Sequence, residues 1–344
     1  MSDLSCAAVE AVDRDWMIGD VLDQPAQLVD ALWRVESAAV PRGEAPGGLV
    51  VCGMGGSGVG GDLAAAIVGD RARRPIHTVR DYELPTWVGD DVLVLCSSYS
   101  GETEETLACF EAAGALGARR VALTTGGTLA AAAREQRVPV IGVPAGFQPR
   151  AAVAYMTVAA LECAAACGAA PALRDELEAA GANLTARARE WGPEGADNSP
   201  PKAIARRLVG RLPVIFGARA TAPVAVRWKN QLNENPGMAA FSSALPEADH
   251  NEICAWDGDA GPLRAVLLED PVAPARLRRR FELTAEVVGD AERVHAVGAT
   301  RAERVLSLVL LGDLASVYAA VLRGRDPSPI TPLERFKASL GPAS

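Results

Sequence analysis

From residue 49 onward, short runs of apolar and β-branched residues alternate with stretches whose apolar positions recur every three or four residues. That alternation predicts an α/β fold, with parallel strands joined by helices that cover both faces of a sheet. Strands are expected at 49–52, 76–79, 92–97, 121–124 and 138–143, most of them followed by a turn rich in Gly or Ser and then a helical period. Val59, Leu63 and Ile67 form one helical stripe, and Leu107 with Phe110 begins another. A second, weaker series at 214–216, 265–268 and 294–297 repeats the pattern, so one architecture is expected to occur twice. A helical stretch at 172–191 and a loop at 192–201, broken by Pro193, Gly195, Pro200 and Pro201, separate the halves. The expected organisation is an N-terminal helical segment (1–48, with a helix at 24–39), a first α/β domain (49–170), a helical linker (171–201) and a second α/β domain with a C-terminal helix (202–344).

A length of 344 residues agrees with two domains, and 49% hydrophobic with 22% charged residues is the composition of a globular chain. A net charge of -9 argues against nucleic acid or an anionic membrane as a general partner. The longest apolar run, 305–322, is interrupted by Gly312, Asp313 and Ser316 and reads as a buried helix, not a membrane span. With no basic stretch followed by an apolar one at the start, the cytoplasm is the expected compartment. The seven cysteines lack a Cys-x-x-Cys pair and are expected to be reduced core residues. Three histidines without paired ligand spacing make a metal enzyme unexpected. Lysine is confined to Lys202, Lys229 and Lys337, so each draws attention in a chain otherwise rich in arginine.

Candidate chemistry lies in two loops. The strand ending at Cys52 leads into Gly53-Met54-Gly55-Gly56-Ser57-Gly58 and a helix, where free N–H groups and a positive dipole end favour an anion. Gly53, Gly55 and Gly58 also satisfy Gly-x-Gly-x-x-Gly, and Asp81 follows the next strand, so a dinucleotide site and an oxidoreductase remain open. The strand ending at Ser97 leads into Ser98-Tyr99-Ser100-Gly101-Glu102-Thr103, again before a helix. Helix capping by Ser100 would account for one or two of these hydroxyls; a terminal phosphate, with three oxygens to satisfy, accounts for all.

These residues resemble the phosphosugar-binding loops of SIS (sugar isomerase) domains. The later segments Lys229-Asn-Gln-Leu-Asn-Glu234-Asn, Leu245-Pro-Glu-Ala-Asp249-His250-Asn-Glu252, Gln148-Pro-Arg150-Ala and Asp326-Pro-Ser-Pro with Lys337 are similar to the bifunctional phosphoglucose/phosphomannose isomerases. The resemblance implies two flavodoxin-like SIS domains and conversion of glucose 6-phosphate or mannose 6-phosphate to fructose 6-phosphate, with neither metal nor organic cofactor. It implies that Gly55, Gly56, Ser57, Ser98, Ser100 and Thr103 bind the substrate phosphate. Glu234 would be the base, Arg150 would stabilise the enediolate, and His250 with Lys337 would open the sugar ring. In such proteins the ring-opening histidine comes from a neighbouring subunit, which implies a homodimer with shared sites. Thr331 is a further candidate beside the substrate.

By residue type alone, Glu234, Arg150 and Lys337 would pass for surface residues and His250 for a turn histidine paired with Asp249 and Glu252. The stripe of Val224, Trp228 and Leu232 nevertheless turns Glu234 away from the core. A catalytically silent phosphosugar-binding module therefore stays open beside the isomerase. Glu102 stands where the family loop commonly carries Asn, and a carboxylate aimed at a phosphate would repel it.

Overall fold

The computed structural model describes residues 3–258 and 260–341, apart from the side chain of Lys337. The chain folds as two compact units, one formed by Asp23–Gly181 and the other by Met1–Leu22 with Ala182–Ser344.

Two short helices, α1 (Cys6–Val12) and α2 (Met17–Leu22), belong to the second unit and went unread in the sequence. Val9 is the only buried residue of α1, too little to produce a period, and α2 spans less than two turns. The first unit opens with α3 (Gln24–Ser37) and then alternates β1 (Gly48–Cys52), α4 (Gly55–Val68), β2 (Ile76–Val79), β3 (Val92–Ser97), α5 (Glu104–Ala115), β4 (Arg119–Thr124), α6 (Gly127–Glu135), β5 (Val140–Gly142) and α7 (Val153–Ala166). All five strands are parallel, in the order β2-β1-β3-β4-β5. This is the flavodoxin-like order, and its switch point lies between β1 and β3, where loops leaving the carboxyl ends of the two strands diverge. Every residue of β1 and β3 is buried, as strands covered on both faces require.

After α8 (Arg174–Trp191) and α9 (Pro200–Leu208), the second unit repeats the scheme with β6 (Leu212–Gly217), α10 (Ala222–Glu234), β7 (Phe241–Ala244), β8 (Leu263–Glu269), α11 (Ala275–Val288), β9 (Glu292–His295), α12 (Arg301–Leu322) and α13 (Thr331–Leu340). Its four parallel strands run β7-β6-β8-β9, the first four places of the same order. Strand β7 was not expected. It is a four-residue edge strand whose Phe241 is exposed and whose neighbours are Ser242 and Ser243, so neither an apolar run nor an alternation marks it.

Helix α12 is the axis of the second unit. Its length and mean hydropathy of 2.1 would suit a membrane span, yet 94% of that window is buried inside the fold. It begins with a capping box: the Thr300 hydroxyl accepts from the Glu303 N–H, and the Glu303 carboxylate accepts from the Thr300 N–H at 2.7 Å. Asp313, midway along α12, forms a buried two-point ion pair with Arg227 of α10 (2.9 and 2.6 Å). Lys202 is also structural: its buried ammonium donates to the carbonyls of Pro193 and Gly195, both at 2.9 Å, and stitches that loop to α9. Of the cysteines, five are buried as expected, while Cys6 is half-buried and Cys254 is exposed.

Candidate active site

Strands β1 and β3 pair with Cys52 opposite Cys96, so the loops that follow them start side by side. A Cβ added to Gly53 would lie 2.8 Å from the Ser97 carbonyl oxygen and 3.1 Å from the Ser57 Cβ; the two loops touch at their roots. Gly55 enters α4 with φ +50, a left-handed value that glycine adopts without strain, and has open space where a side chain would stand. A third segment joins them. A Cβ at Gly56 would lie 3.3 Å from the Arg150 Cα, which places the 3-10 turn Pro149–Ala152 against the start of α4. Gly55, Gly56, Ser57 and Arg150 are thus brought together with the Ser98–Thr103 loop within the first unit.

The second loop is built on its own hydroxyls. Ser98 Oγ and Thr103 Oγ1 share a hydrogen bond of 2.8 Å, the Gly101 N–H donates to Ser98 Oγ, and the Glu102 N–H donates to the exposed Ser100 hydroxyl at 3.2 Å. Thr103, not Ser100, is the N-cap of α5, and its side chain makes no cap bond to the helix. Glu102 points elsewhere: its two carboxylate oxygens accept from the Thr128 N–H and Oγ1, both at 2.8 Å, at the start of α6. A carboxylate at a helix N-terminus is favourably placed. Arg150, which by residue type could have been a solvated helix-end arginine, is buried at 4% exposure, with Nη1 3.4 Å from Gln148 Oε1. In this first unit, buried Ser57 and Ser98, exposed Ser100 and the guanidinium segment offer donors for an oxyanion at the carboxyl edge of a parallel sheet.

In the second unit, Val224, Trp228 and Leu232 form the buried stripe of α10 as the spacing predicts, and Glu234 is the helix's last, half-buried residue. Its neighbours fix it. Asn235 Nδ2 donates to Ser316 Oγ on α12 at 2.8 Å, and Asn233 Nδ2 donates to the Met238 carbonyl at 2.9 Å. His250 ends a 3-10 turn, Glu247–His250, and its side chain is exposed. The acids beside it are engaged with other groups. Asp249 accepts from Arg280 Nη1 and Thr284 Oγ1, both at 2.9 Å, Glu252 accepts from Ser243, and Glu247 accepts from Asn251. The expectation of a histidine paired with acids is therefore corrected: the carboxylates tie down the turn and leave the imidazole to solvent. The same engagements pull Asp249 and Glu252 to different partners, Asp249 to α11 and Glu252 to Ser243 of β7. Lys337 lies on α13 with its side chain outside the described residues, and Thr331 is the first, exposed residue of that helix. Leu333 and Phe336, apolar residues of the same helix, are exposed.

Residues 197–340 match the family described as the bacterial phospho-glucose isomerase C-terminal SIS domain. The chain is 35% identical over 301 residues to the bifunctional phosphoglucose/phosphomannose isomerase of Caldicellulosiruptor bescii, covering 85% of this chain and 89% of that one. It is 37% identical over 300 residues to the enzyme of the same name from Aquifex aeolicus, covering 85% and 90%. This chain belongs to the bifunctional phosphoglucose/phosphomannose isomerase family. Among solved structures, a hypothetical protein from Thermus thermophilus superimposes with a TM-score of 0.76 at 16% identity, over 97% of this chain and 94% of that one. A glucose-6-phosphate isomerase like protein from the same organism gives 0.66 at 22% identity, over 98% and 99%. These two likenesses carry the fold alone.

Within the family frame, sequence reasoning missed the groups that hold the candidate site residues in place. Arg280 and Thr284, which seat the His250 turn, are four residues apart on α11 and so share one helix face, a spacing that could have flagged them. Nothing local marked Ser316 as the partner of Asn235.

Proposed function

We propose that this chain interconverts glucose 6-phosphate and mannose 6-phosphate with fructose 6-phosphate. The observation that carries the reading is the convergence of the Gly55–Ser57 helix start, the Ser98–Thr103 hydroxyl loop and the Arg150 turn at the switch point of a parallel sheet. Family membership supports the same chemistry. In this reading Gly55, Gly56, Ser57, Ser98, Ser100 and Thr103 hold the phosphate, through backbone N–H groups and hydroxyls. Glu234 takes the proton from C2 of the open-chain aldose and returns it to C1, while Arg150 stabilises the enediolate oxygen that forms between the two transfers. His250 and Lys337 protonate the ring oxygen and accept the proton of the anomeric hydroxyl, which opens the ring. The acting form is a homodimer in which His250 serves the neighbouring copy's site.

The test is conversion of C2-deuterated glucose 6-phosphate and mannose 6-phosphate, followed by NMR. Fructose 6-phosphate should form with partial loss of deuterium to water. Saturable binding of either sugar phosphate with neither product nor exchange would make the chain a binding protein.

A further inference from the structure

The turn that carries His250 is anchored on both sides. Ala248, one residue before Asp249, is buried, and Trp256 closes the following 3-10 turn against Phe216 with ring centroids 6.0 Å apart. Between these apolar anchors the polar attachment to α11 is made by Asp249, whose two oxygens are divided between Thr284 Oγ1 and Arg280 Nη1. Thr284 is 2% exposed and Asp249 is half-buried, so the clamp is partly shielded from competing water. The His250 imidazole has no hydrogen-bond partner among the described residues, so its direction depends on where the backbone of the turn is held.

We infer that Arg280 and Thr284 are positioning residues for ring opening: through Asp249 they hold the turn that presents His250, and proton transfer at Glu234 does not depend on them. The inference rests on the role proposed above for His250. A reacting group supported by a fixed outer shell loses rate when that shell is loosened, because a displacement of about 1 Å costs on the order of a hundredfold.

Ring opening can be measured apart from isomerisation as the catalysed exchange of α- and β-glucose 6-phosphate, followed by two-dimensional exchange NMR in a Glu234→Gln background. Thr284→Val, nearly isosteric, and Arg280→Gln should each lower that exchange by about tenfold to a hundredfold, with the dissociation constant for glucose 6-phosphate unchanged. Thr284→Ser, which restores the hydroxyl, should restore the exchange. Circular dichroism and melting temperature identify any variant that is misfolded, and the second variant then carries the test. If His250→Ala leaves the exchange intact, the ring-opening role of His250 fails and this inference with it. If His250→Ala abolishes the exchange while well-folded Thr284→Val and Arg280→Gln retain it, the positioning role alone is overturned.

Discussion

The indole of Trp228 on α10 lies flat against Gly312 on α12: a Cβ at position 312 would fall 2.1 Å from Trp228 Nε1. That nitrogen donates to the Leu308 carbonyl at 2.8 Å, so the ring cannot back away without losing the bond. With the Arg227–Asp313 pair one residue along each helix, the contact fixes the helix that ends at Glu234. Gly312→Ala should therefore destabilise the fold by about 1–3 kcal/mol, the usual cost of overpacking. Urea unfolding checks this; an unchanged midpoint would mean that the indole moves freely.

Removing one partner of the buried ion pair should cost more. Arg227→Met leaves Asp313 buried without its guanidinium, an uncompensated charge worth about 3–5 kcal/mol. Replacing both residues by apolar ones of similar size should recover most of that loss in the same unfolding experiment.

The Thr300–Glu303 capping box gives a pH dependence. Hydrogen bonds from the Thr300 backbone hold the Glu303 carboxyl below the ordinary glutamate range, despite an opposing effect of burial. A depressed carboxylate contributes stability above its unfolded value, and that contribution fades as pH falls through the folded one. Glu303→Gln should therefore cost about 1 kcal/mol at neutral pH. The gap from the unsubstituted chain should narrow in acid, as unfolding curves at several pH values will reveal.

Glu102 should scarcely affect phosphate affinity, because its carboxylate is committed to Thr128 at the start of α6. Titration calorimetry of Glu102→Gln with glucose 6-phosphate should give a dissociation constant close to that of the unsubstituted chain. Ser100→Ala should weaken binding by about 1.5–3 kcal/mol, as for one hydrogen bond to a charged group. Strong tightening in Glu102→Gln would mean that the carboxylate does face the phosphate.

The shared-site dimer predicts complementation. Glu234→Gln should lower turnover at least about a hundredfold while sugar phosphate still binds, and His250→Ala should fail on the cyclic substrate. When the two inactive chains are unfolded together and refolded as a mixture, about half the dimers are mixed, and each holds one intact site. Roughly a quarter of the full activity should return, as two-fold symmetry requires. No recovery, with mixed dimers confirmed by mass spectrometry, would place Glu234 and His250 of one chain in the same site.

Hydrophobic pattern alone determined the parallel α/β class, the doubling of the architecture, eight of the nine strands among the described residues and the buried stripe of α10. These features follow from burial repeated at a fixed period, which is a local property of the chain. The missing strand, β7, lies at a sheet edge, where exposure erases the period. Motif chemistry located the two loops, and the family resemblance named Arg150, Glu234, His250 and Lys337, but neither could tell which polar groups were already engaged. Only the tertiary structure buried Arg150, turned Glu102 toward Thr128, and gave Asp249 to Arg280 and Thr284 instead of to His250. Hydrogen-bond partners 26 to 35 residues apart are set by how elements pack, and side-chain periodicity carries no record of that choice.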